Sequence, residues 1–143
     1  MNKKIIAIDF DGTVVTHEFP NIGKDINAQH TLKRIVANGH RIILFTMRSD
    51  VEFPVSDDDA IHSSGGTYLT NAVNWFKENG IELWGINENP EQKSWTHSPK
   101  PYAHLYIDDA ALGIPLLDRP DISDRPFVDW VRVARMLEYM KII

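Results

Sequence analysis

The chain has no cysteine among its 143 residues. Disulfides and thiolate metal sites are therefore excluded, and the redox compartment stays unread. Long apolar runs are also missing, since Ile5-Ile6-Ala7-Ile8 follows Lys3-Lys4 and stops at Asp9. Such a run is too short for the core of a signal peptide or for a membrane span. Basic side chains are in the minority, 15 Lys and Arg against 20 Asp and Glu, for a net charge of −5. That balance argues against broad affinity for nucleic acid or anionic membranes, although a local basic pocket stays open. The histidines show no metal-ligand spacing, and there is no repeat, low-complexity tract or linker. What is left has the make-up of an ordinary globular domain, with 43% hydrophobic and 24% charged residues. Its length suits a single domain, 1–143. A soluble cytoplasmic protein is the default expectation.

Strand-like and helix-like patterns alternate, which predicts a mainly parallel sheet flanked by helices. Strands are expected at Lys4 to Asp9, Arg41 to Thr46, Ile81 to Ile86 and Ala103 to Asp109, with a short further one within Gly113 to Leu117. A helix capped by Asp25 or Asn27 should run to about Ala37, where Asn38-Gly39 stops it. A second helix is expected from Tyr68 to Glu78, and a third from Pro126 with an apolar stripe of Phe127, Trp130, Val131, Ala134 and Leu137. Phe19 to Asp25 reads as a loop over the first strand's tip. Met47 to Thr67 reads as a long polar loop, and its 49–66 portion could act as a partial lid.

Chemistry concentrates at the strand ends. Residues two apart on a strand share a face, so a strand continuing through Asp11 would bring Asp9 and Asp11 together. Two converging carboxylates are costly unless a cation or a shared proton relieves them. Thr46 with Arg48 ends the second strand, and Asp108-Asp109 ends the fourth. Ligands of open parallel sheets bind outside such carboxyl ends. An all-oxygen site of this kind suits Mg²⁺, and Mg²⁺ suits phosphoryl transfer.

In this arrangement Asp9-Phe10-Asp11-Gly12-Thr13 resembles the first motif of the haloacid dehalogenase (HAD) superfamily. Thr46 resembles the second motif, and Asp108-Asp109 the fourth. The resemblance covers most of the chain in the family's order. It implies a three-layer α/β/α sandwich with a Rossmann-like sheet, and a Mg²⁺-dependent phosphatase acting on a phosphate monoester. Asp9 would be the nucleophile that forms an aspartyl-phosphate. Asp11 would protonate the leaving group and then activate water. Mg²⁺ would lie among Asp9, the Asp11 carbonyl and Asp108, with Asp109 assisting. Thr46 would hold phosphoryl oxygens with backbone N–H groups near Phe10, Asp11 and Met47. Gly12, Thr13, Met47 and Arg48 are further candidates for substrate contact. The family's third-motif lysine is assigned to Lys100, eight residues before Asp108, with Lys93 as the alternative. Asp11 sets the chain apart from dehalogenase-like members, which lack a carboxylate there, and from pump-like members, which carry Thr.

No full cap domain fits between Thr13 and Thr46, or between Thr46 and Lys100. An open site suits a bulky phosphorylated substrate, or one covered by a neighbouring copy in a homo-oligomer; the substrate's identity is not legible. Two other functions are carried alongside: a 5′-nucleotidase-like hydrolase of nucleoside monophosphates, and a catalytically weak module that binds phosphate and Mg²⁺. Asp57-Asp58-Asp59 reads as a solvated run or a helix start rather than a second metal site. His17, the histidine nearest the expected site, reads as a solvent-facing loop residue rather than a substrate contact, and Arg48 reads equally as an anion clamp or a surface ion pair. Trp75, Trp84 and Trp130 read as packing, and Trp95 as a substrate-facing or interface aromatic.

Overall fold

The computed structural model describes residues 2–51 and 66–143. In chain order its elements are β1 (Ile5–Ile8), α1 (Ala28–Ala37), β2 (Arg41–Leu44), β3 (Asp50–Val51), β4 (Gly66–Thr67), α2 (Tyr68–Glu78), β5 (Gly85–Ile86), β6 (Leu105–Ile107), β7 (Leu116–Leu117), β8 (Phe127–Val128) and α3 (Trp130–Tyr139). The apolar runs pair into a parallel sheet ordered β5-β2-β1-β6, with Ile6 opposite Ile42 on one side and Leu105 on the other. This order makes β1 central, so its C-terminal tip emerges between those of β2 and β6.

Side-chain alternation sorts the two faces of the sheet. Ile6, Ile8, Ile42, Leu44 and Ile107 share one buried cluster with Leu32 and Ile35 of α1, Ala72 and Phe76 of α2, and Trp130, Val133 and Leu137 of α3. The other face carries Ile5, Ala7 and Ile43, packed with Trp84 and Ala103. Among the described residues no helix covers that second face. Its neighbours are Trp84 and Ala103, and the stretch 87–104 is irregular apart from a single 3₁₀ turn, Gln92–Ser94. Prolines at 90, 99 and 101 suit that irregularity.

Helix α2 has the expected bounds, and its buried side includes Trp75 beside Ala72 and Phe76. Phe10 meets the rings of Trp75 and Phe76 at centroid distances of 5.9 and 6.0 Å. The residue between Asp9 and Asp11 is thus anchored in the core, where burying one Phe side chain contributes roughly 1.5–3 kcal/mol.

Several expectations change: the strand expected over Arg41 to Thr46 ends at Leu44, and that over Ala103 to Asp109 shortens to Leu105–Ile107. The strand expected over Ile81 to Ile86 shortens to Gly85–Ile86, because the Ile81 N–H donates to Phe76 O (2.9 Å) in the cap of α2. The last helix does not begin at Pro126. Phe127–Val128 instead pairs antiparallel with Leu116–Leu117, and Asp129 caps α3 by accepting from the N–H groups of Val131 and Arg132. Its stripe is therefore Trp130, Val133 and Leu137, while Val131 is 63% exposed. At α1, Asn27 holds the N-cap position at φ 66° without a side-chain cap, and Asp25 accepts from the Asn27 N–H at 2.8 Å.

Asp57-Asp58-Asp59 and most of the 49–66 segment lie outside the described residues. The described residues at its ends do pair, Val51 opposite Gly66, with Asp50 opposite Thr67 just beyond. Asp50 also accepts from the N–H and hydroxyl of Thr70, which holds its carboxyl below the usual range.

Candidate functional site

The tip of β1 is built around a sharp turn. Gly12 has φ 79°, donates to Val15 O (2.7 Å) and accepts from the Val128 N–H (3.0 Å). A Cβ there would lie 1.9 Å from His17 Nε2, so any side chain would collide with the imidazole. Glycine is required both for the left-handed turn and for the space.

Thr13, fully buried, follows this turn and ties two strand tips together. Its hydroxyl accepts from the Asp109 N–H (2.9 Å) and lies 2.9 Å from Asp9 Oδ2 and 3.2 Å from Asp109 Oδ1. Trp130 Nε1–H donates to Thr13 O at 2.7 Å, which fixes the turn to α3. Gly12 and Thr13 therefore shape the site from behind, and neither presents a surface to a substrate.

Asp9, Asp108 and Asp109 each offer a carboxylate oxygen within 4.8 Å of the others. Burial of Asp9 raises its carboxyl from 3.8 to about 8. The nearby Asp108 charge and the hydrogen bond with Asp109 add to that rise, while Thr13 and the Phe10 N–H oppose it. Three partly buried carboxylates facing one another at this distance need a proton or a cation between them. The donor set is all oxygen, which fits a hard divalent ion such as Mg²⁺.

The β2 tip supplies Thr46, whose N–H donates to Asn87 Oδ1 (2.8 Å) and whose hydroxyl oxygen accepts from the Arg48 N–H (3.1 Å). The hydroxyl proton of Thr46 remains able to donate elsewhere. Among the described residues the N–H groups of Asp11 and Met47 donate to nothing, and the Met47 side chain is 97% exposed.

Arg48 settles as a buried ion pair. Its Nε donates to Asp11 Oδ2 (2.8 Å) and its Nη2 to Asp11 Oδ1 (2.7 Å), with the arginine side chain 1% exposed. A guanidinium so enclosed is unsuited to clamping a substrate anion.

Neither candidate lysine makes an ion pair with the acids among the described residues. Lys100 is exposed, with Nζ 5.2 Å from the centroid of the Tyr106 ring. Lys93 lies on the 3₁₀ turn and lines a groove of about 320 Å³ with Asn87, Glu88 and His97. Trp95 is 65% exposed and meets Tyr102 edge-on at 5.8 Å. Trp84 packs under the Arg41 guanidinium at 4.4 Å, and Trp75 and Trp130 are buried. A separate groove of about 430 Å³ runs between α1 and α3 past His30, Trp130 and Glu138, away from the acids.

Asn87 enters the site unannounced, and His17 enters it from a loop position that reads as solvent-facing in the sequence. Asn87, at φ 54°, orders the β2 tip through Thr46; a polar residue directly after a strand was its only signal. His17 is not solvent-facing: it lies over Gly12, with Nε2 buried and 3.0 Å from Asp109 Oδ2, short of hydrogen-bond geometry.

No helix among the described residues is long and apolar enough to cross a membrane. No family model and no curated protein matches the sequence. Among solved structures, a conserved protein coded by a locus of Bacteroides thetaiotaomicron is similar at 32% identity and a TM-score of 0.70, over 97% of this chain and 93% of that one. On that identity, sustained along nearly the full length of both, the chain belongs to the same family as this conserved Bacteroides thetaiotaomicron protein.

Proposed function

We propose that the protein is a Mg²⁺-dependent phosphatase of the HAD type, hydrolysing a phosphate monoester through an aspartyl-phosphate. The observation that carries this reading is the gathering of Asp9, Asp108 and Asp109 at one end of a parallel sheet, with Asp11 two residues after Asp9 and Thr46 on the adjacent tip. On this reading the fold is a reduced α/β/α sandwich in which residues 87–104 stand in for the third layer.

An Asp9 carboxylate oxygen attacks phosphorus, and the bond from phosphorus to the leaving oxygen breaks. Asp11, having first taken up a proton from solvent on a lone pair that the Arg48 fork leaves free, gives that proton to the leaving oxygen. Asp11 then takes a proton from water as the water attacks phosphorus, and the Asp9–phosphorus linkage breaks to free phosphate and the carboxylate. The Thr46 hydroxyl and the N–H groups of Asp11 and Met47 hold non-bridging oxygens. Asp9, Asp108 and Asp109 would hold Mg²⁺, which neutralises phosphoryl charge when bound. Thr13 keeps Asp9 and Asp109 in register.

The test is phosphate release from an aryl phosphate, with Mg²⁺ and with chelator. Turnover by the wild type that disappears in Asp9→Asn and in chelator supports the reading; equal turnover by Asp9→Asn overturns it.

A second reading has one observation in its favour. Lys100 rests against Tyr106, and no lysine is paired with the acids among the described residues. A module that binds Mg²⁺ and phosphate without turnover would need no lysine at Asp9. Phosphate binding in calorimetry, with no hydrolysis across a broad panel of esters, favours that alternative.

A further inference from the structure

We infer that Arg48 is a positioning residue for Asp11, fixing where its carboxyl stands and tying that position to the loop after the β1 turn and to the start of α2. The inference rests on the reading of Asp11 as the acid and base of the reaction.

The geometry leaves Arg48 little else to do. The fork from Nε and Nη2 takes both oxygens of Asp11 and so fixes the plane of the carboxyl as well as its distance. The other donors are spent on backbone: Nη2 on Asn21 O (2.7 Å), and Nη1 on Pro20 O (3.3 Å) and Tyr68 O (3.2 Å). A guanidinium has five N–H groups, and these five bonds use them all. No donor remains for a substrate, and at 1% side-chain exposure none could reach it.

Aromatic rings complete the enclosure. The guanidinium carbon lies 5.1 Å from the centroid of Phe10 and 5.2 Å from that of Phe19. Phe19 in turn meets the Tyr68 ring at 5.3 Å. Three segments distant in sequence therefore converge on one side chain: the β1 turn, the loop through Pro20 and Asn21, and the first turn of α2. Lysine could not substitute, because an ammonium is a point charge without a planar fork.

Stability alone is a poor reason for such a pair, since buried ion pairs are commonly no better than packed apolar groups. A function for the fixed geometry is the more economical account. Proton transfer is sensitive to placement, and an error of about 1 Å can cost about 100-fold in rate.

The test is steady-state hydrolysis of p-nitrophenyl phosphate with Mg²⁺ by the wild type, Arg48→Lys, Asp11→Asn and the double variant. A residue acting through Asp11 lowers kcat by about 100-fold in Arg48→Lys. KM and inhibition by inorganic phosphate stay near wild type. The double variant is no slower than Asp11→Asn alone, whereas independent contributions would multiply. Wild-type kcat in Arg48→Lys, a loss confined to KM, or multiplying losses each overturn the inference while leaving the wild-type reaction standing. Should Arg48→Lys fail to fold, Arg48→Gly with millimolar guanidinium ion replaces it: recovered turnover supports the inference and its absence overturns it. A wild type that releases no phosphate removes the reading of Asp11, and this inference with it.

Discussion

The Thr13 hydroxyl accepts the Asp109 N–H at 2.9 Å while standing 2.9 Å from the Asp9 carboxylate, so one buried side chain sets the spacing of two acids 100 residues apart in sequence. The hydroxyl has a single proton to share between the carboxylates of Asp9 and Asp109. The crowding of those acids is fixed by the fold itself.

Thr13→Val keeps the shape of this side chain and removes the hydroxyl. It leaves the Asp109 N–H without its acceptor, and an unsatisfied buried group costs about 1–3 kcal/mol. Denaturant unfolding should show a loss in that range. Isothermal titration should show weaker Mg²⁺ binding, because Asp109 is no longer held toward Asp9. An unchanged unfolding midpoint would mean that the hydrogen bond contributes nothing net.

Gly12→Ala meets two obstacles at once. A left-handed φ of 79° is strained for alanine, and its Cβ would fall 1.9 Å from His17 Nε2. The strain alone is worth roughly 1–2 kcal/mol, and His17 must also leave Asp109. Thermal melting should show a clear drop. Pairing the change with His17→Ala should restore part of it, because only the collision is relieved; no recovery would place the whole cost in the backbone.

The acids also give the metal-free protein a pH dependence with a definite sign. Burial first, then Asp108 and the Asp109 hydrogen bond, move Asp9 from 3.8 up to about 8. Between those values the folded chain keeps a proton that the unfolded chain has released, so stability falls as pH rises. This contribution is complete below the ordinary carboxyl range and gone once pH passes about 8. Melting in chelator across that range should show the decline. A divalent ion should offset it most at the alkaline end, where Asp9 would otherwise carry an unrelieved charge. A stability that rises steadily over the same interval would contradict the arrangement.

Much of this was legible in the sequence because it depends on local pattern. The run Ile5 to Ile8 ending in Asp9 specifies a buried strand with acids at its tip, and Tyr68 to Glu78 carries a helical period between good stop signals. Asp108-Asp109 was legible for the same reason, and the parallel sheet then brings the tips together. Pairings across the chain were not. Arg48 and Asp11 are 37 positions apart, and nothing in either segment specifies a bidentate fork. His17 is a loop residue as expected but not a solvent-facing one, because the space that receives it is left by the missing side chain of Gly12. The start of α3 was misplaced because Phe127 and Val128 suit a strand as well as a helical stripe, and only pairing with Leu116 and Leu117 decides between them. Lys100 has the expected spacing from Asp108, but its ammonium lies over the Tyr106 ring.

The most direct measurement concerns Asp9 itself. Wild-type protein with Mg²⁺ and a phosphate ester labelled on phosphorus is quenched in acid within one turnover, and the label is mapped by peptide. The account predicts covalent label on the peptide carrying Asp9 in the wild type and none in Asp9→Asn. Phosphate release with no label on that peptide at any quench time, or equal release by Asp9→Asn, would contradict it.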